Sequence, residues 1–254
     1  MRTSTDPQRP VRAVPKPVLL ALAAVLALQL AWGGHLPPPQ ARARALDPPP
    51  ALSTARLMDL GEPIATAQFL ALTLQAFDNP PGISIPFRAL DYPRVTGWLA
   101  LVLGLDPQGQ YPLILASHVY SQVPDPARQR LMLDFVYREF FKDPGRRWPW
   151  LAHAALLARH RLHDLPLSLR YARAVANRAT GKDVPHWARQ MPIFILQDMG
   201  ELEAAKIELG ALLATGTVTD PREEHFLLGR YRELEKQVAA RGGPEIRSAA
   251  PAKR

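Results

Sequence analysis

The feature that most limits the possible folds of this chain is an interval of 37 residues that recurs along it. Three pairs of residues are separated by this interval: Pro107 and Pro144, Trp150 and Trp187, and Ser168 and Ala205. A repeat of this length is typical of one helix–turn–helix unit that is used several times. The interval therefore predicts a stack of helix pairs, an architecture that usually presents binding surfaces and rarely carries out chemistry.

The hydrophobic pattern agrees with an all-α domain between residues 56 and 240. No stretch shows the sustained alternation of a half-buried strand, and residues 79–92, with Pro80, Pro81 and Gly82, are predicted to form a loop. Asp143-Pro144 is interpreted as a helix end and Asp220-Pro221 as a helix start. The predicted helices span residues 57–77 (with a bend at Gly61-Glu62-Pro63), 93–105, 112–122, 126–141, 149–163, 166–179, 185–198, 201–214 and 221–239. Their short connections predict antiparallel neighbours.

The N-terminus carries the pattern of a membrane anchor. A basic segment, residues 1–16, precedes an apolar segment, residues 17–36, in which the stretch from Pro17 to Gly34 is uncharged. This length is at the short limit for a spanning helix, and basic residues stay on the cytoplasmic side. We expect a cytoplasmic tail (1–16), a transmembrane signal-anchor (17–36) and a Pro/Arg-rich linker (37–55). The domain would then lie in the periplasm of a bacterium, anchored to the inner membrane by a single pass.

A cleaved signal peptide is the alternative for this segment. The first small-x-small sites, Ala41-Arg42-Ala43 and Ala43-Arg44-Ala45, are late and contain an arginine, so an uncleaved anchor is favoured. Cleavage would instead make the chain a soluble secreted carrier.

Charge and composition exclude several classes of function and of site. Of the net charge of +8, residues 1–45 carry +5 and residues 241–254 carry +3, which leaves residues 46–240 neutral with 21 basic and 21 acidic side chains. A nucleic-acid-binding domain would concentrate positive charge on its folded part, so we expect no nucleic-acid partner. Residues 241–254 are predicted to be disordered. The chain has no cysteine, which excludes disulfides, thiolate metal sites and a cysteine nucleophile.

At this point the chain resembles the tetratricopeptide-repeat family. The segment Gly200-Glu-Leu-Glu-Ala-Ala-Lys is similar to the turn and second helix of that repeat, with Ala205 at the small packing position, and Ser168 takes the equivalent place one unit earlier. The family's interval is 34 residues, so a generic array of helical hairpins is the alternative. The resemblance implies a right-handed superhelix of stacked antiparallel helix pairs whose concave face binds peptides or proteins, with no cofactor and no small-molecule ligand.

Motifs that could carry chemistry give little support to an enzyme. His153, His160 and His163 lie on one predicted helix, but Arg159 and Arg161 beside them would repel a cation, so we expect no metal. Ser117 and His118 are neighbours, and adjacent helical positions do not face each other. An enzyme that acts on cell-wall glycan is the alternative, and it would need a carboxylic acid of raised pKa, for which Glu62 and Glu139 are the candidates.

Two surfaces are predicted to bind partners. The first is the segment with Arg146, Arg147 and Trp148, which combines the residue types that anchor interfaces, although tryptophans here could instead pack between repeats. The second is the loop with Phe87, Arg88 and Tyr92, which either folds back on the first repeat or meets a partner. The predicted function is a membrane-anchored periplasmic scaffold that binds protein partners of an envelope assembly and is not an enzyme.

Overall fold

The computed structural model describes residues 14–35, 45–79, 84–181, 183–216, 218 and 220–242. All regular structure in these residues is helical, and none of them lies in a strand. The chain divides into two compact units, residues 1–42 and 43–254. Most of the predicted cytoplasmic tail (1–13), the last residue of the predicted anchor (36), part of the predicted linker (37–44) and almost all of the predicted disordered tail (243–254) lie outside the described residues.

The described part of the first unit is one helix, α1 (Lys16–His35). A helix of 20 residues is about 30 Å long, which matches the hydrocarbon thickness of a bilayer. Within the described residues, α1 is the helix that is long and apolar enough to cross a membrane by its length and composition.

The second unit contains the other helices. They are α2 (Leu52–Met58), α3 (Pro63–Ala76), α4 (Tyr92–Leu105), α5 (Tyr111–Ile114), α6 (Pro126–Phe140), α7 (Pro144–His160), α8 (Leu165–Arg178), α9 (His186–Asp198), α10 (Leu202–Ala214) and α11 (Pro221–Gly242). A π turn (Leu115–Val119) and a 3₁₀ turn (Tyr120–Gln122) follow α5, and a further 3₁₀ turn (Phe87–Ala89) precedes α4.

The structure divides two of the predicted helices. Residues 57–77 contain the end of α2, which begins at Leu52 within the predicted linker, and the whole of α3. The two helices are separate because Leu60 and Gly61 take positive φ angles of 52° and 87°, which lie outside the right-handed α-helical region. Residues 112–122 change from α to π to 3₁₀ geometry within three turns. Both segments lie in the first half of the domain, where the 37-residue interval is also least regular.

Aspartate followed by proline marks where helices begin. Asp125 and Asp143 are the N-caps of α6 and α7, and Pro126 and Pro144 are their first residues. The prediction that a helix ends before Asp143-Pro144 is confirmed, because α6 ends at Phe140. The same pair also starts α7, since proline has no N–H to lose at the first helical position, and this start was not predicted. Helix α7 consequently begins five residues before the predicted position 149, and Pro149 lies within it.

From α6 to α11, each helix packs on the next in the chain, and side-chain contacts tie equivalent positions of successive pairs. Asp134 on α6 accepts hydrogen bonds from Arg170 Nη2 (3.2 Å) and from Tyr171 Oη (2.8 Å) on α8. Arg173 on α8 in turn pairs with Glu208 on α10 at 2.6 Å. The first residues of α8 and α10, Leu165 and Leu202, are 37 residues apart, whereas those of α7 and α9, Pro144 and His186, are 42 apart. The interval of 37 residues is thus the step from α8 to α10.

The two small residues that define this interval are fully buried. Ser168 and Ala205 both have 0% exposure, and Ser168 Oγ donates to the carbonyl oxygen of Ala155 at 2.8 Å. Small side chains at these positions let neighbouring helices approach closely. The right-handed superhelix that the tetratricopeptide resemblance implies stays a prediction.

Candidate functional site

The first predicted partner surface lies in the opening turns of α7. Arg146 is exposed and pairs with the N-cap Asp143, Nε to Oδ2, at 3.2 Å. Trp148 is half-buried and meets Trp187 of α9 edge to face, with ring centroids 5.6 Å apart. Trp187 is 51% exposed. We call Trp148 and Trp187 the tryptophan pair. Trp187 served only as a spacing marker in the sequence, and the structure places it beside a predicted site residue.

Arg147 is internal, and we remove it from the partner surface. Its side chain is 3% exposed, and its Nη1 lies 2.9 Å from Glu139 Oε2. Nη1 also donates to the carbonyl oxygen of Glu139 at 2.7 Å, and Nη2 donates to that of Pro107 at 2.8 Å. The physical reason is the early start of α7: residue 147 falls on the face of the helix that packs on α6, so its guanidinium stabilises the end of α6.

The loop that precedes α4 folds back on the domain. Phe87 meets Tyr120 edge to face at 5.7 Å. Tyr92 is 2% exposed, and its hydroxyl donates to the carbonyl oxygen of Tyr120 at 2.9 Å. Burial raises the pKa of Tyr92 to about 12. Arg88 keeps an exposed side chain, while its carbonyl oxygen accepts a hydrogen bond from Arg128 Nη1. Of these three predicted contact residues, Arg88 alone offers an open side chain to a partner.

A serine and a histidine come together in the π turn. Ser117 Oγ lies 2.8 Å from His118 Nδ1. The expectation that these neighbours do not face each other was wrong, because it assumed α-helical geometry and residues 115–119 form a π turn.

The orientation of this serine does not suit a nucleophile. Ser117 has 0% exposure, and its hydroxyl donates to the carbonyl oxygen of Leu113 at 2.7 Å. A hydroxyl has one hydrogen, so Ser117 Oγ must accept from His118 Nδ1 rather than give it a proton. The pair is therefore arranged as a structural contact and not for base-assisted attack.

The three histidines considered for a metal do not converge. His153 stacks on His118 with centroids 3.9 Å apart and planes 13° from parallel, while His160 and His163 are exposed. Burial, and next the charge of His118, lower the pKa of His153. Among the described residues, no group of three or more His, Cys, Asp or Glu side chains could hold a metal ion.

The two glutamates considered for catalysis have different surroundings. Glu139 is 6% exposed and is held between Arg147 and Lys142, whose Nζ lies 2.7 Å from Oε1. Glu62 is exposed at the start of α3. The two carboxylates do not share a cleft in the described structure, so neither arrangement is the paired acid and base of glycoside hydrolysis.

Among the grooves on the surface of the second unit, one of about 430 Å³ lies between α8, α9 and α10 and contains Arg173, Arg189 and Glu208. Another, of about 630 Å³, lies between α2 and α3 and is lined mainly by apolar side chains, among them Met58, Leu60 and Phe69. This apolar groove was not predicted, although the complete lack of charge in α3 was a signal for it.

Comparison with known proteins adds no family. No protein-family model, no curated protein and no solved structure matches this chain. The tetratricopeptide resemblance therefore stays a prediction, and the function must be argued from the surfaces themselves.

Proposed function

We propose that this chain is a membrane-anchored scaffold that binds protein partners of a bacterial envelope assembly through its helical-repeat domain and catalyses no reaction. The observation that carries the proposal is the tryptophan pair, in which Trp187 is 51% exposed. Tryptophan is among the residue types that most often dominate binding energy in protein interfaces.

The position of the pair suits a binding surface. Trp148 lies on α7 and Trp187 on α9, so the pair spans two successive first helices of the array. Trp148 also packs on the core, which holds the pair in one orientation before a partner arrives. A rigid aromatic side chain that is half exposed loses little conformational entropy on binding, which favours its use as an anchor.

The first unit supports a membrane location for the scaffold. Helix α1 has the length and composition of a membrane span, and the basic residues that precede it would keep the N-terminus in the cytoplasm. We therefore place the second unit in the periplasm, tethered to the inner membrane. Neutral charge over residues 46–240 agrees with protein partners rather than with nucleic acid.

Affinity purification from crosslinked membranes tests the scaffold. The tagged full-length chain should co-purify with a defined set of envelope proteins, and Trp187→Ala should reduce that set at least about tenfold, a loss typical of an interface anchor. Phe226→Ala is the matched control, since Phe226 is also an exposed aromatic residue (56%) but lies on α11. Recovery of partners at the wild-type level with Trp187→Ala would remove the tryptophan pair from the interface.

Two further readouts of the same preparation separate the alternatives. Resistance of the chain to alkaline extraction, with an N-terminal peptide that includes α1, would support the anchor; a mature chain that starts near residue 44 would make it a secreted carrier. Recovery of glycan with the chain, and of no protein, would overturn the scaffold in favour of the glycan-acting enzyme.

A further inference from the structure

Helix α3 carries no charged side chain, and the described structure buries only one of its faces. The buried residues Ala67, Ala71 and Leu74 face the rest of the domain, where α3 packs on α4. On the opposite face Phe69 and Leu72 are 68% and 58% exposed. Large apolar side chains that lie together on a surface mark an interaction site, so we expect this face to be covered.

The two ends of the array differ in this respect. Helix α11, at the C-terminal end, buries Leu227 and Leu234 and otherwise presents many charged side chains, as a capping helix should. Near the N-terminal end, Leu57, Leu60 and Phe69 are 83%, 94% and 68% exposed. The N-terminal end therefore lacks the polar outer surface that keeps a repeat array monomeric.

The uncovered face of α3 has the pattern of a helix-pairing seam. Ala65, Phe69, Leu72 and Ala76 are all exposed, and their spacings of 4, 3 and 4 residues place them within an arc of about 60° at 3.6 residues per turn. This arc lies nearly opposite the buried stripe. Spacings of three and four residues are those of a coiled-coil seam, so the pattern indicates that the missing cover is another helix.

The order of side-chain sizes along the seam is the same from either end: one small residue, two large residues and one small residue. If two copies of α3 pair antiparallel about a two-fold axis, Ala65 of one copy lies opposite Ala76 of the second, and Phe69 lies opposite Leu72. The exposed polar residues Gln68 and Thr73 also lie opposite each other, because their positions are symmetric about the same centre. Such self-complementarity is the requirement for an isologous interface.

We propose that a second copy of this chain covers α3, through an antiparallel α3–α3 interface with Phe69 and Leu72 at its centre. This dimer does not depend on the tryptophan pair, which lies on α7 and α9.

Helix dipoles favour the antiparallel arrangement, because antiparallel dipoles attract. Since α3 has no charged side chain, two copies approach without like-charge repulsion between residues 63 and 76. Beyond the ends of the seam, the two-fold symmetry places Asp78 of one copy opposite Pro63 and beside Glu62 of the second copy, so these carboxylates oppose the pairing.

Membrane anchoring makes this pairing feasible. Residues 45–50, which precede α2, pack on the domain: Leu46 is 6% exposed, and the carbonyl oxygen of Asp47 accepts a hydrogen bond from Trp98 Nε1 at 2.8 Å. Two copies anchored in one bilayer meet at a raised effective concentration, so a modest interface is enough.

Disulfide crosslinking tests the pairing directly, because the chain has no cysteine. Ala65→Cys and Ala76→Cys variants of the full-length chain, carrying different tags, are co-expressed and oxidised in native membranes. We expect a crosslink between the two variants and none within either alone, because two equivalent Ala65 positions would lie about 16 Å apart along the helices. A disulfide requires Cα atoms within about 7 Å. Ala239→Cys, at an exposed alanine on α11, is the control.

A second substitution tests whether the crosslink depends on the seam and does not arise from random collisions. Phe69→Glu should reduce the mixed crosslink about tenfold or more, since two carboxylates would be buried at the centre of the seam. Phe226→Glu should leave it unchanged.

Three results would overturn the proposal. A crosslink within Ala65→Cys alone would indicate parallel pairing, and a crosslink to another protein would indicate a foreign helix. Absence of any crosslink would also overturn it, and quenching of a fluorophore attached to the Ala65→Cys variant by nitroxide-labelled lipid would then show that the seam lies on the bilayer.

Discussion

The residue with the largest expected effect on stability is Arg147. Its Nη atoms bind the carboxylate and carbonyl of Glu139 and the carbonyl of Pro107, and its Nε has no hydrogen-bond partner among the described residues. Arg147→Ala would leave the carboxylate of Glu139 buried beside one exposed lysine, at a cost of about 3–5 kcal/mol in the free energy of unfolding.

Thermal melting of the detergent-solubilised chain, followed by circular dichroism, measures this cost. Arg146→Ala is the matched control, because Arg146 is exposed and its ion pair with Asp143 is worth about 0–1 kcal/mol. The double variant Arg147→Met with Glu139→Gln should recover part of the loss, since it removes both charges together. Equal melting of the two single arginine variants would show that the buried pair contributes nothing.

His153 should make stability depend on pH. Its pKa lies below the ordinary value of 6.5, first because of burial and next because of the charges of His118 and Arg161, while a hydrogen bond with the backbone of Ser117 opposes the shift. The unfolded chain therefore binds a proton more readily than the folded chain. Stability should be complete above about pH 6.5 and should fall as the pH drops below that value.

The melting temperature between pH 8 and pH 5 tests this sign. His153→Gln should flatten the fall, while His160→Gln, a change at an exposed histidine on the same helix, should not. A fall of the same steepness in the His153→Gln variant would assign the pH dependence to other groups.

At the scale of helices, aspartate caps decide where the elements begin. Asp125 Oδ1 accepts from the backbone N–H groups of Ala127 (3.0 Å) and Arg128 (3.1 Å) at the start of α6. Asp125→Ala should cost about 1 kcal/mol, and Asp125→Asn should cost much less because asparagine caps equally well. Chemical denaturation of the three chains measures the difference. An equally large loss in the asparagine variant would attribute the effect to the ion pair with Arg128 instead.

The helices show where sequence reasoning succeeds. The predicted starts of α8, α9, α10 and α11 lie within one residue of the observed ones, because each is preceded by a clear break and followed by a one-sided apolar stripe. The start of α7 was misplaced because Pro149 was taken as the first helical residue. The correct signal was the pair Asp143-Pro144. Had it been interpreted as a helix start, as Asp220-Pro221 was, the start of α7 would have been found.

The site was harder to predict than the helices. Periodicity shows which side of a helix is apolar but not which neighbour covers it, so the contact of Trp148 with Trp187 and the burial of Arg147 were not visible in the sequence. The geometry of Ser117 and His118 depends on a π turn, which has no simple sequence signal. Conversely, the uncharged sequence of α3 could have shown that its outer face needs a cover.

At the scale of the whole molecule, packing between consecutive helices predicts tolerance to truncation. From α6 onward each helix packs chiefly on its chain neighbours, so stability should be close to a sum over helix pairs and their interfaces. A chain that ends at Thr180 loses α9, α10 and α11 and exposes the side of α8 on which α9 packs. It should melt at a lower temperature, yet its helical signal per remaining residue should persist, because α2–α8 keep their mutual contacts.

The crosslink at α3 adds a second measurement to the truncation, and the two together distinguish an array of helix pairs from a single cooperative core. The seam of Ala65, Phe69, Leu72 and Ala76 lies at the other end of the domain from the deletion, so the mixed disulfide between Ala65→Cys and Ala76→Cys should form as well in the truncated chain as in the full chain. In a single cooperative core, the deletion would destroy the helical signal and the crosslink together. Circular dichroism and crosslinking on one preparation therefore distinguish an array of helix pairs from an indivisible globule.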